Sequence, residues 1–143
     1  MPAPVMDAQA IGTLLHEVFP QVFYPGCGLM IERVDYGDIR VRQHFHGDYI
    51  RPGGTISGPT MMALADFAMY VAVFSAIGPQ PLAVTTNLNI NFLRKPAQSD
   101  LIADARLIKV GKRLAVGEVT IYSAGASEPV AHVTSTYSIP SAG

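Results

Sequence analysis

Ser57-Gly58-Pro59-Thr60-Met61-Met62-Ala63-Leu64-Ala65-Asp66-Phe67-Ala68-Met69-Tyr70-Val71-Ala72-Val73-Phe74 decides how this chain folds. Ser57 is a suitable N-cap, and Pro59 fits the first helical turn, where a missing N–H costs nothing. Gly78-Pro79 supplies the stop. The run between is apolar on nearly every face, which marks a buried helix rather than a surface amphipath. Asp66 is the single charged side chain between Arg51 and Arg94. An ionised group in apolar surroundings costs several kcal/mol, so Asp66 must face a cleft or be paired, the plainer alternative being a buried acid bonded to Thr or Asn on a neighbouring strand.

Working outward, Asp7 can cap a short amphipathic helix running to about Val18, with Ile11, Leu14, Leu15 and Val18 on one face. Pro20 and Pro25-Gly26 end it and open a loop. Leu29 to Phe45 reads as a hairpin turning at Asp35-Tyr36-Gly37-Asp38. In its second arm Ile39, Val41 and Gln43 alternate with Arg40, Arg42 and His44. Gly47 to Gly58 is a Gly/Pro-rich loop leading into the apolar helix. Beyond that helix, Leu82 to Leu93 alternates Thr86, Leu88, Ile90 and Phe92 with Thr85, Asn87, Asn89 and Asn91. Leu101 to Val110, Leu114 to Tyr122 and Val130 to Ile139 are three further strands. Helix, two strands, buried helix, four strands is an α+β order in which an antiparallel sheet wraps a central helix. The division expected is one domain over 1–143, with residues 1–27 as N-terminal helix and loop and 28–143 as the core.

Composition narrows the function. A chain of 143 residues can bury a substantial core. Hydrophobic residues make up 49% and charged ones only 15%, which points to surface buried against another subunit. A net charge of −1 gives no electrostatic case for nucleic acid or an acidic membrane. Cys27 is the only cysteine, so neither an internal disulfide nor a thiolate metal cluster is expected. Met1 to Gly12 lacks the pattern of a signal peptide, and Met61 to Ile77 falls short of a membrane span. A cytoplasmic homo-oligomer is the expectation.

A sheet curled around one buried helix is the hotdog fold, and the local motifs resemble its acyl-CoA thioesterases of the phenylacetyl-CoA type, the PaaI-like family. Leu64-Ala65-Asp66 matches that family's Leu-Ala-Asp, with Ser57-Gly58-Pro59 at the position of its His-Gly-Gly. Ile90-Asn91-Phe92-Leu93-Arg94-Lys95-Pro96 is similar to the family's apolar-x-Phe-Leu-Arg-Pro strand end. The Gly111-Lys112-Arg113 turn and the strand Val130-Ala131-His132-Val133-Thr134 also fit. Two positions depart: Ser57 replaces the His, and Arg51 replaces an Asn about six residues earlier.

The resemblance implies that the N–H at Gly58 polarises a thioester carbonyl while the Asp66 carboxylate of the opposite subunit acts as base or nucleophile. Helix geometry agrees that two subunits are needed. Asp66 lies eight residues after Gly58, roughly 12 Å along the helix, too far for one carbonyl to touch both. A homodimer, possibly a tetramer, is therefore the expected partner state. Pro59 has no N–H, so Gly58 and Thr60 are the backbone donors available. Ser57 lies in no Gly-x-Ser-x-Gly elbow and reads as a cap rather than a nucleophile.

By the same resemblance Arg94, Lys95, Lys112 and Arg113 lie near the phosphates and adenine of coenzyme A, which is part of the substrate rather than a cofactor. Arg51 is an anion binder in a Gly/Pro loop, for a substrate carboxylate, coenzyme A or a structural ion pair. Asn87, Asn89 and Asn91 are unusual in a strand and suggest a polar ligand channel or subunit seam beside the helix. His44, His46, His132 and Asp48 have no recognised metal-ligand spacing. Two alternatives remain at this point: a non-catalytic acyl-CoA-binding domain, and a hydroxyacyl thioester dehydratase, suggested by His44-Phe45-His46-Gly47-Asp48. The dehydratase acid, however, would fall near Gly58, where there is none.

Overall fold

The computed structural model describes residues 2–141. Helix α1 spans Ala8–Val18, and its cap Asp7 accepts the Ala10 N–H at 2.8 Å. Ile11 and Leu15, one turn apart, are fully buried against the rest of the molecule. Strands β1 (Leu29–Asp35) and β2 (Asp38–Gln43) form the expected hairpin, tightened by Gly37 at φ 62°. A single 3₁₀ turn at Gly47–Tyr49 interrupts the loop to helix α2, Gly58–Ile77. Strands β3 (Val84–Phe92), β4 (Leu101–Val110), β5 (Leu114–Ser123) and β6 (Pro129–Ser138) follow.

All strands join one antiparallel sheet in the order β1-β2-β4-β5-β6-β3. Helix α2 lies chiefly across β2, β4 and β5, inside the curl of the sheet. Leu64, Met69, Val71, Val73 and Phe74 are sealed from solvent there. This is the hotdog architecture expected from the apolar helix. At 20 residues α2 is longer than the Met61 to Ile77 run, and by length and composition it could cross a membrane. It serves instead as the core, with 72% of its most apolar window buried. Close approach to the sheet depends on Gly117 of β5, where an added Cβ would lie 2.7 Å from the Met69 sulfur and 2.9 Å from the Arg106 carbonyl oxygen.

Two details of β3 depart from regular alternation. Its pairing with β6 slips between Thr85 and Asn87, so Thr86 is an extra residue in the ladder. Thr85 pairs with Tyr137, and Leu88, Ile90 and Phe92 pair with Ser135, Val133 and Ala131. Those β6 residues are all buried. Thr85 therefore shares the inner face with Leu88, Ile90 and Phe92, opposite to the face of Asn87, Asn89 and Asn91. The strand also lies at the margin of the sheet rather than beneath the helix, and it leaves one backbone edge without a neighbour.

The outer face carries cross-strand ion pairs. Arg40 holds Asp104 through two bonds of 2.7 and 2.9 Å, and Arg42 bridges Glu32 and Asp100. These are exposed pairs of small net worth, and they balance one another's charge.

Candidate active site

The first half of the site forms at the start of α2. The Ser57 hydroxyl accepts the Thr60 N–H at 3.3 Å and lies 2.8 Å from the Thr60 hydroxyl. Capping thus occupies both side chains locally. It also consumes the Thr60 N–H, and Pro59 has none, so Gly58 holds the donor left open in the first three helical positions. Gly58 admits a close approach: a Cβ there would lie 3.1 Å from the Phe92 ring. A cavity of about 410 Å³ opens beside it, lined among others by Arg51, Gly58, Met61, Phe92, Arg94 and Lys95. Arg51 is held by its backbone, its N–H donating to the Thr55 carbonyl at 2.9 Å, and makes no ion pair among the described residues. Arg94 pairs with Glu128 on the rim. Three cations thus meet the positive end of a helix dipole in one hollow, a setting suited to an anionic ligand.

The second half surrounds Asp66. The Thr85 hydroxyl donates to Asp66 Oδ1 at 2.5 Å. The Tyr137 hydroxyl lies 2.9 Å from the same oxygen and 2.9 Å from the Asp66 carbonyl oxygen. Tyr137 is only 3% exposed. Burial, reinforced by the neighbouring Asp66 charge, pushes its phenol far above the usual tyrosine value, so it remains a neutral donor. A cavity of about 380 Å³ opens here, lined by Val18, Phe19, Asp66, Tyr70, Pro81, Ala83, Val84, Thr85 and Tyr137. Tyr70 donates to the Pro81 carbonyl at 2.6 Å, and its ring meets Phe19 edge-on. Asp66 is half-buried at the wall of this hollow, as the isolated charge required.

The two hollows share no lining residue. One lies at the C-terminal end of β3, by Phe92, and the other at its N-terminal end, by Thr85. Of the remaining candidates, Asn89 and Asn91 project from the outer face of β3 and pair with Thr134 and His132. Lys112 and Arg113 occupy the exposed β4–β5 turn and line neither hollow. The histidines do not converge: His44 meets Asp100 at 3.2 Å, His132 meets Glu118 at 3.1 Å, and His46 caps the 3₁₀ turn. Glu118 is held below the usual carboxylate value by its bond from Arg106 and then by His132. That arrangement fits a surface network.

Sequence reasoning allowed for Asp66 as an acid bonded to a Thr or Asn of a neighbouring strand without singling out Thr85, and it missed Tyr137. The alternation of β6, with Ala131, Val133, Ser135 and Tyr137 on one face, carried enough signal to place Tyr137 inside. For Thr85 the one-residue slip reversed the expected face.

Comparison with known proteins agrees with this fold. Residues 53–130, spanning both Gly58 and Asp66, match the family model described as the thioesterase superfamily. A solved structure described as "a putative thioesterase" from Silicibacter sp. TM1040 is 42% identical, covering 96% of this chain and 94% of that one, with a TM-score of 0.84. "Putative esterase VNG_1336C" of Halobacterium salinarum is 36% identical over 100 residues, 66% of this chain and 65% of its own length. The match thus spans slightly under two thirds of that relative. Two more distant structures share the fold. One is a mutant of the phenylacetic acid degradation protein PaaI from Thermus thermophilus, at 23% identity, 90% and 99% coverage and TM-score 0.70. The other is a hypothetical thioesterase with coenzyme A from Streptococcus pneumoniae, at 20% identity, 90% and 96% coverage and TM-score 0.76. A family match over more than half the chain, with a relative so similar along nearly its whole length, makes this chain a member of the thioesterase superfamily.

Proposed function

We propose that the protein is a homodimeric acyl-CoA thioesterase whose site is completed only between subunits. The observation that carries this is the position of the two hollows at opposite ends of β3, an edge strand with an open backbone. Antiparallel pairing of β3 with its own copy, about a two-fold axis, sets the Thr85 end of one strand beside the Phe92 end of the other. Asp66 then faces the helix start bearing the partner subunit's Gly58, and the pairing makes two equivalent sites.

In such a site Asp66 takes a proton from water as the water oxygen adds to the thioester carbon. The carbonyl oxygen becomes an oxyanion held by the Gly58 N–H and the positive helix end. Breaking of the C–S bond expels the thiolate, which recovers the proton from Asp66 and leaves a free acid. Attack by the carboxylate itself, through an anhydride that water then opens, uses the same atoms. Arg51, Arg94 and Lys95 supply the charge for a phosphorylated carrier, and the coenzyme A bound by the pneumococcal fold relative supports that carrier. The chemistry needs only water and the protein's own groups. Acyl-CoA binding without hydrolysis is the second reading, favoured by Ser57 and Arg51 standing where the resembling family has His and Asn.

Mixing separates these readings. Asp66→Asn and Gly58→Val are each expected to abolish thiol release from acetyl-, hexanoyl- and phenylacetyl-CoA. Co-expressed, half of the dimers are mixed and each mixed dimer has one intact site of two, so about a quarter of parental activity returns. Full turnover by Asp66→Asn overturns the mechanism, and no recovery in the mixture overturns the shared site. Thermal stabilisation by these esters without thiol release by the parent protein establishes the binding reading instead.

A further inference from the structure

Asp66 has two oxygens, and the fold treats them differently. Among the described residues, both hydrogen bonds to the carboxylate arrive at Oδ1, from Thr85 at 2.5 Å and from Tyr137 at 2.9 Å. An ionised carboxylate only accepts, so both hydroxyls donate. A carboxylate oxygen has about two lone-pair sites, so two donors fill Oδ1. The single Tyr137 proton is shared with the Asp66 carbonyl oxygen at 2.9 Å, which ties the side chain to its own backbone. A hydroxyl bonded to both ends of one residue restrains its χ1 as well as its charge.

We propose that Tyr137 is a positioning residue of the hydrolytic site: with Thr85 it saturates Asp66 Oδ1 and leaves Oδ2 as the one oxygen that reacts. The assignment rests on Asp66 being the reacting carboxylate. Three features beyond the bonds support it. Tyr137 is buried at 3% exposure, so its ring cannot swing away, and Tyr70 stacks on it with ring centroids 6.0 Å apart. Burial keeps its phenol protonated through the working range of such a site, so the donor persists. Finally, the slip at Thr86 turns Thr85 inward beside Tyr137, which the alternation of β6 already faces inward, so both hydroxyls meet at the same oxygen.

A tyrosine that only packed would leave turnover unchanged when its hydroxyl alone is removed. The titratable groups of this hollow are Asp66 and Tyr70 on α2 and Tyr137 on β6. Val18 and Phe19 of the α1 end and Val84 and Thr85 of β3 contribute none, and no lining side chain is basic. Tyr137→Phe keeps the ring and deletes the donor. For hydrolysis of the best-turned-over ester of the panel, kcat is expected to fall about 10- to 100-fold with KM unchanged.

Thr85→Val, at an exposed position that spares the core, is expected to lower kcat at unchanged KM in the same way, and Thr85→Ser to restore it. If Tyr137→Phe fails to fold, the two Thr85 variants carry the decision. Loss of activity in Asp66→Asn together with unmoved kcat in Tyr137→Phe and Thr85→Val overturns the positioning role alone. An active Asp66→Asn, or a parent protein that releases no thiol, overturns the hydrolytic reading and this assignment with it.

Discussion

At the residue scale, what could be read in advance depended on how far along the chain a side chain finds its partners. Ser57, Pro59 and Gly58 obey local rules of helix starts, and all three act as those rules require. Asp66 declared itself by contrast with its apolar neighbours. A Thr or Asn partner on a neighbouring strand could be foreseen in kind but not in number, because Thr85 lies 19 positions away, and Tyr137, 71 positions away, was hidden altogether. The geometry of Ser57 also separates its two possible roles. Its hydroxyl is engaged by the Thr60 N–H and hydroxyl, which suits a cap and hinders a nucleophile. Ser57→Ala is therefore expected to cost about 1 kcal/mol of stability in denaturant unfolding while hydrolysis persists. Loss of turnover at unchanged stability would make Ser57 a chemical participant.

Elements were legible where composition or period was consistent. The helix followed from uniform apolarity between a cap and a stop, and the alternation of β2 placed the second arm of the hairpin, because burial on one face of a strand enforces it. The period failed at β3, where one inserted residue reverses the faces on either side of it. No local preference marks Thr86 as that residue, since its neighbours Thr85 and Asn87 are as polar as it is. A second long-range constraint, equally invisible beforehand, is the approach of α2 to β5. Gly117 looks ordinary in a strand, yet Met69 and the Arg106 backbone occupy the space of its missing side chain. Gly117→Ala is expected to destabilise the fold by about 1–3 kcal/mol, read as a lower urea midpoint at unchanged slope. An unchanged midpoint would show that the methionine simply moves aside.

For the whole molecule, low charge and high apolarity already pointed to a covered surface, and β3 supplies a specific place for it. Leu93, Phe92 and Val84 are each more than half exposed along or just beyond that edge. Such a strand invites pairing with another chain, and here the pairing would bring the two hollows together. The outer ion pairs work differently: they neutralise a broad face without giving it a net field, so that face offers no comparable attraction.

The open edge of β3 has a kinetic signature. If each site is assembled from two chains, the protein is a reactant in making its own catalyst. Well above the dissociation constant of the pair, velocity rises in proportion to enzyme concentration. Well below it, velocity rises with the square, and saturating substrate that bridges both chains pulls the curve back toward a straight line. A dilution series, followed first without and then with preincubated ester, should trace that bend. A strictly linear series that continues into concentrations where light scattering finds only single chains would mean that one chain suffices.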